Sequence, residues 1–153
     1  RRDFIIPPLD DVRALVPEPA ADGRVRIGYL DAHDRQPCLL TLKNPAIADA
    51  ALAGHAAPYR QLDTAVLEAV VLKRALGLTD EQIDRRAGLA YARDLDEALE
   101  AIASGAAEAG FFMGATPIAH VQAVAAAGER MPPKSTYFHP KVPTGLVLNP
   151  LFD

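Results

Sequence analysis

The sequence contains no tryptophan and a single cysteine, Cys38. An intrachain disulfide is therefore excluded, and the fold must be held by aliphatic packing. Serine and lysine are also scarce, with two serines, Ser104 and Ser135, and four lysines. No apolar run approaches the roughly eighteen residues needed to cross a bilayer, so a membrane partner is not expected. The chain opens Arg1-Arg2-Asp3, without a methionine or a charged-then-apolar leader, and is read as a fragment of a longer protein. What is abundant points the other way from disorder. Half of the 153 residues are hydrophobic and 24% are charged, which suits one globular domain with a sizeable core.

Charge is unevenly placed. The formal balance is −4, from 16 Lys+Arg against 20 Asp+Glu. Residues 130–150 hold Arg130, Lys134 and Lys141 and no acid, which leaves 13 bases against 20 acids, or −7, on the rest. One short basic stretch on an acidic chain suits a small anion. Nucleic-acid binding asks for a broad basic face and is not expected.

Residues 1–22 read as an N-terminal arm or linker and 23–153 as one domain. Phe4-Ile5-Ile6 is β-prone and is stopped by Pro7-Pro8. Val25, Ile27 and Tyr29 alternate with Arg24, Arg26 and Gly28, the period of a half-buried strand. After the polar turn 31–36, Cys38 to Leu42 forms the second strand of a hairpin. Asn44-Pro45 starts a helix, and Leu62 to Leu76 predicts a helix apolar nearly all round, stopped by Gly77. Thr79-Asp-Glu-Gln82 is a capping box. Residues 89–91, the helix from Asp94 to Gly105 and residues 109–113 read as strand, helix, strand, which predicts a parallel pair. Thr116-Pro117 starts another helix, and residues 145–149 read as a last strand.

Most candidate sites along the chain have plain structural readings. Asp31, His33 and Asp34 sit in a hairpin tip and read as solvated rather than as a metal site, and no metal is expected. His55 follows a helix end, where the dipole favours a cation. His120 lies on an exposed helix flank. Cys38 reads as a small core residue. The acids Asp94, Asp96, Glu97 and Glu100 fall in the first turns of a helix, where carboxylates are ordinary.

Between Gly128 and Gly145 no regular pattern is visible, and loops of that length are often functional. Pro132, Pro133, Pro140 and Pro143 stiffen it. Between them lie Lys134, Ser135, Thr136, Tyr137, His139 and Lys141, a scarce set gathered in one place. Ammonium groups beside hydroxyls suit a phosphate or carboxylate. Lys134, Ser135, Thr136 and Lys141 are the candidate ligand-binding residues. Tyr137 and His139 are candidate catalytic groups, for orienting or proton handling. The Lys-Ser-Thr run is not a phosphate-cradling P-loop, because the glycine framework is missing. The alternatives are an ordered surface loop that packs Tyr137 and Phe138, or a partner-binding surface.

The run from Met131 to Lys141, followed by Thr144-Gly145-Leu146-Val147, resembles the closing signature of the family catalogued as domain of unknown function 1015. Tyr59 to Leu67, Asp94 to Gly105, Phe111-Phe112-Met113 and Thr116-Pro117 are similar to it as well. The resemblance covers most of residues 58–149, and His139 stands where many members have tyrosine. It implies a C-terminal fragment of a longer cytoplasmic protein whose missing N-terminal domain is similar to the ParB/sulfiredoxin group. Some relatives of that group use nucleotides. The Asp-Gly-His-His-Arg type motif of that domain is absent, so such catalysis is not expected of this stretch alone.

The expected fold class is α+β, a two-layer domain with a mixed sheet of about four or five strands and helices mainly on one face. The expected role is an accessory domain of a small-molecule enzyme whose loop binds an anionic group; nucleotide dependence of that enzyme is what the resemblance implies. No cofactor is required by the sequence. The alternative is a non-catalytic interaction or oligomerisation module, with a second copy or the N-terminal domain as partner.

Overall fold

Alternating apolar residues build the hairpin as expected. In the computed structural model, which describes residues 2–20 and 22–132, β2 spans Arg26–Asp31 and β3 spans Cys38–Leu42. β1, Phe4–Ile5, pairs with the outer edge of β3, and a further strand, β4 (Ala109–Phe112), pairs with the outer edge of β2. The order is β1-β3-β2-β4, and every pairing is antiparallel. Asp31 turns the hairpin: its Oδ1 accepts from the backbone N–H of His33 at 2.9 Å and of Asp34 at 2.7 Å. That carboxylate therefore serves the turn. Cys38 is only half-buried, with its thiol 3.5 Å from the Gln36 carbonyl, rather than a core residue.

The domain is α+β, but the parallel pair expected from residues 89–91 and 109–113 does not form. Residues 109–112 pair antiparallel with β2 as the edge strand β4, and residues 89–91 form no strand. Just before residue 89 the backbone turns through the left-handed region at Arg86 (φ 53°) and Gly88 (φ 76°). Tyr91 is left exposed, with the Arg86 guanidinium 5.5 Å from its ring centroid. The strand expected at 145–149 lies outside the described residues.

Capping residues place the helices. α1 is Pro45–Ala51, with the Asn44 side chain accepting from the Ala46 N–H at 2.9 Å. Asn44→Ala is expected to lower stability by about 1 kcal/mol, seen as a shifted denaturation midpoint at constant slope. α2 is Ala57–Arg60 and α3 is Asp63–Val66. α3 runs on into a nine-residue π-helix, Leu67–Ala75, where a continuous α-helix was expected. The wider winding is seen in the Leu76 N–H, which bonds the carbonyl of Val71, five residues back, at 2.9 Å. Gly77, at φ 75°, ends it as anticipated. α4, Asp80–Asp84, carries the reciprocal Thr79–Gln82 capping box. α5, Leu95–Ala103, is capped by Asp94, which accepts from the Glu97 N–H at 3.0 Å. α6 is Ile118–Ala126, with Pro117 rather than Thr116 in the capping position. No helix among the described residues is long and apolar enough to cross a membrane.

Two apolar clusters cover the two faces of the sheet. Val25, Ile27, Leu40 and Leu42 pack with Val66, Val70 and Val71 on the main face. Leu30 and Phe112 pack with Ile102 of α5 and with Leu15 on the other. Each fully buried side chain of this size contributes roughly 1.5–3 kcal/mol. The segment read as an arm contributes β1 and a 3₁₀ turn, Val12–Leu15, which seats the fully buried Leu15 across the second face. A third, smaller cluster joins Leu62, Ala65 and Val124, with Met131 packed against it.

Candidate functional site

The six residues singled out in the basic loop, Lys134, Ser135, Thr136, Tyr137, His139 and Lys141, lie outside the described residues. The chain leading to them is held in two places. Met131 packs on the cluster of Leu62, Ala65 and Val124. Glu129 closes the end of α6 onto the α1–α2 corner, accepting from the backbone N–H of Ala56 and, at 2.7 Å, from Nδ1 of His55. These bonds, the Ala56 N–H first, hold the Glu129 carboxyl below its ordinary range. The His55 ring also stacks on Tyr59 at 4.0 Å, so it pairs with Glu129 rather than with the carbonyl end of α1.

Leu62, a member of the cluster on which Met131 packs, lines a cavity of about 90 Å³. Three stretches far apart in sequence form its walls: the connector, with Pro17 to Ala20, Gly23 and Arg24, leading into Arg26 of β2; the turn into α3; and the link from β4 into α6. Its polar lining includes Arg24, Arg26, Gln61, Asp63, Thr116 and His120. The connector is pressed against the link, since a Cβ on Gly114 would stand 2.3 Å from the Pro17 carbonyl oxygen. Glycine is the residue that permits this approach.

The two arginines reach the cavity by strand alternation. Val25 and Ile27 face the main core, so Arg24 and Arg26 face away from it. Both share one carboxylate, Asp22, with Arg24 Nε at 3.2 Å and an Arg26 Nη at 4.0 Å. Nε of Arg26 is buried with no hydrogen-bond partner among the described residues. The Arg26 guanidinium therefore has donors left over.

Asp63 has the complementary deficit. It is the first residue of α3, and among the described residues its carboxyl makes no hydrogen bond and no ion pair. Burial pushes its pKa up to about 6, opposed by the charge of His120. A half-buried carboxyl without a donor among the described residues and a guanidinium with a spare donor thus line one small cavity.

A second cleft of about 300 Å³ is larger and chemically quieter. Glu68 and Lys73, five residues apart on the π-helix, meet at 2.7 Å, and Lys73 also reaches Asp80 at 2.6 Å. Those charges are already paired with one another, so the smaller cavity is the better candidate. Among the described residues no group of three or more His, Cys, Asp or Glu side chains is placed to hold a metal ion.

Sequence reasoning overlooked Arg24, Arg26 and Asp63 as site residues and treated His120 only as exposed. The available signals were the Arg-x-Arg pair on the polar face of β2 and an acid directly after Leu62. No family model matches the chain, and no curated protein or solved structure matches it either.

Proposed function

We propose that this domain is an accessory part of a small-molecule enzyme, and that it holds the anionic group of a small ligand in the cavity beside Arg24 and Arg26. In this reading the chain is the C-terminal part of a cytoplasmic protein of the domain of unknown function 1015 family. Lys134, Ser135, Thr136 and Lys141 then complete the anion site, with Tyr137 and His139 as its orienting or proton-handling groups. The observation that carries the reading is the under-used Arg26 guanidinium lining the cavity. Two further facts support it. Gln61, Leu62, Asp63, Thr116 and Pro117 of the cavity come from the segments that resemble the family, and Met131, at the start of the loop, packs on the cluster that contains Leu62.

Thermal denaturation in inorganic phosphate, against sodium chloride at equal ionic strength, tests this. Phosphate at about ten times its Kd adds about 1.4 kcal/mol, or roughly 3–5 °C in Tm. The rise is expected in the wild type and is expected to disappear in Arg26→Ala and shrink in Lys134→Ala. An equal rise in all three chains would be a general salting effect and would sink the reading.

The second reading, an interaction module without chemistry, is favoured by Ile5, Val12 and Val16, large apolar side chains left exposed on the N-terminal segment. Under it, phosphate leaves Tm unmoved while sedimentation depends on protein concentration.

A further inference from the structure

Resting on the reading of the cavity as an anion site, we infer that its ligand carries a hydrogen-bond donor, a hydroxyl or an ammonium, directly beside its anionic group, the anion answering Arg26 and the donor answering Asp63. The two residues fail in opposite senses. Among the described residues, Arg26 has a buried N–H with no acceptor, and the Asp63 carboxyl has no donor. A buried donor left in that state is costly, the Asp63 carboxyl is half-buried and open to a donor, and one bound molecule bearing both functions serves both. A plain anion would serve Arg26 and leave Asp63 facing like charge. A plain amine would do the reverse.

The surroundings agree with this assignment. The charged groups that line the cavity with Asp63 are Arg26 and Arg24 from the strand side, Glu18 from the connector and His120 from α6. None of them makes an ion pair with Asp63. The cavity volume of about 90 Å³ is well above the roughly 10–15 Å³ needed to hold one water. That admits the end of a small hydroxy acid or amino acid, with the remainder of a longer ligand outside. Thr116 and Gln61 add neutral polar groups to the lining.

Isothermal titration of the whole chain with acetate, glycolate, glycine and inorganic phosphate, at fixed ionic strength, tests the inference. Glycolate or glycine is expected to bind about tenfold or more tightly than acetate, the scale of one hydrogen bond to a charged group. In Asp63→Ala that advantage is expected to fall within about twofold, while Arg26→Ala weakens every probe. Phosphate binding with no gain for glycolate or glycine over acetate overturns the inference and leaves the anion site standing. Absence of binding by phosphate and by all three carboxylates overturns both. An advantage that survives in Asp63→Ala also overturns the assignment to Asp63. Should Asp63→Ala fail to fold, the pH profile of the wild type decides. The glycine advantage falls as pH is lowered through about 6, where the Asp63 carboxyl takes up its proton, and a flat profile overturns the assignment.

Discussion

Gly28→Ala is expected to unfold the chain or to cost more than about 3 kcal/mol, at or beyond the upper end of ordinary overpacking. Gly28 sits in the middle of β2, opposite Leu39 on one side and Phe112 on the other. A Cβ there would stand 1.9 Å from the Leu15 carbonyl oxygen and 2.7 Å from its carbonyl carbon. Both are backbone atoms, so no side-chain rotation relieves the clash. The 3₁₀ turn cannot simply lift away either, because Leu15 is fully buried against Leu30, Ile102 and Phe112. Losing that burial would cost about as much as a Leu→Ala change in a core, 2–5 kcal/mol as a rough range. Gly54→Ala is the control. Nothing lies within 4 Å of the Cβ it would add, and its backbone is not left-handed. It is expected to stay within about 0.5 kcal/mol of the wild type. Urea denaturation of the two variants and the wild type measures the contrast. Equal stability of Gly28→Ala and the wild type would mean that the N-terminal segment does not cross this face of the sheet.

Features with local determinants were legible before the structure. The first strand of the hairpin follows from Val25, Ile27 and Tyr29 alternating with Arg24, Arg26 and Gly28; Val25 and Ile27 are buried as that period requires, and Tyr29 is half-buried. Asn44, Thr79 and Asp94 cap the helices that they precede, because a side-chain acceptor two or three residues upstream is all that a cap needs. The apolar face of α5, with Leu95, Ala98, Leu99 and Ile102, packs as its spacing predicts. Residues 89–91 were misread for the opposite reason. A short apolar run does not reveal whether it will pair at all, and β4 takes β2 as its antiparallel partner while residues 89–91 stay out of the sheet. The π-helix was also hidden, since an apolar stretch buries equally well in α or π winding. Its one trace was the spacing of five between Glu68 and Lys73, an ion pair at 2.7 Å that an α-helix would turn apart. The cavity was the least legible feature. Asp63 resembles any acid in a first helical turn, and Arg24 and Arg26 resemble the solvent face of any strand. Only the tertiary closure of the connector over Gly114 brings them to one place.

Asp63→Asn is expected to stabilise the protein by about 2–3 kcal/mol at about pH 8 and to leave it unchanged at about pH 4. The Asp63 carboxyl has its pKa raised from 3.8 to about 6, chiefly by burial. The folded state therefore holds the Asp63 proton more tightly than the unfolded chain does. This proton linkage contributes its full stability below pH 3.8, and the contribution is lost as pH rises through about 6. At 1.36 kcal/mol per unit, the charged carboxyl costs about 3 kcal/mol above that range. The opposing influences are smaller. Its place at the start of α3 favours the charged form by about 0.3–1 kcal/mol, and His120 lowers the pKa without reversing the effect of burial. An amide is neutral throughout, so the gain should open only as pH rises, reaching roughly 5–10 °C in Tm on the alkaline side. Paired melts of the two chains across that range measure it, and a gain independent of pH would show that Asp63 is not the group responsible. The same substitution should abolish the glycine advantage in the titration. Stability gained together with selectivity lost is the pattern of a residue placed for a ligand. A carboxyl serving only the scaffold would show the reverse, losing stability on substitution and leaving ligand preference untouched.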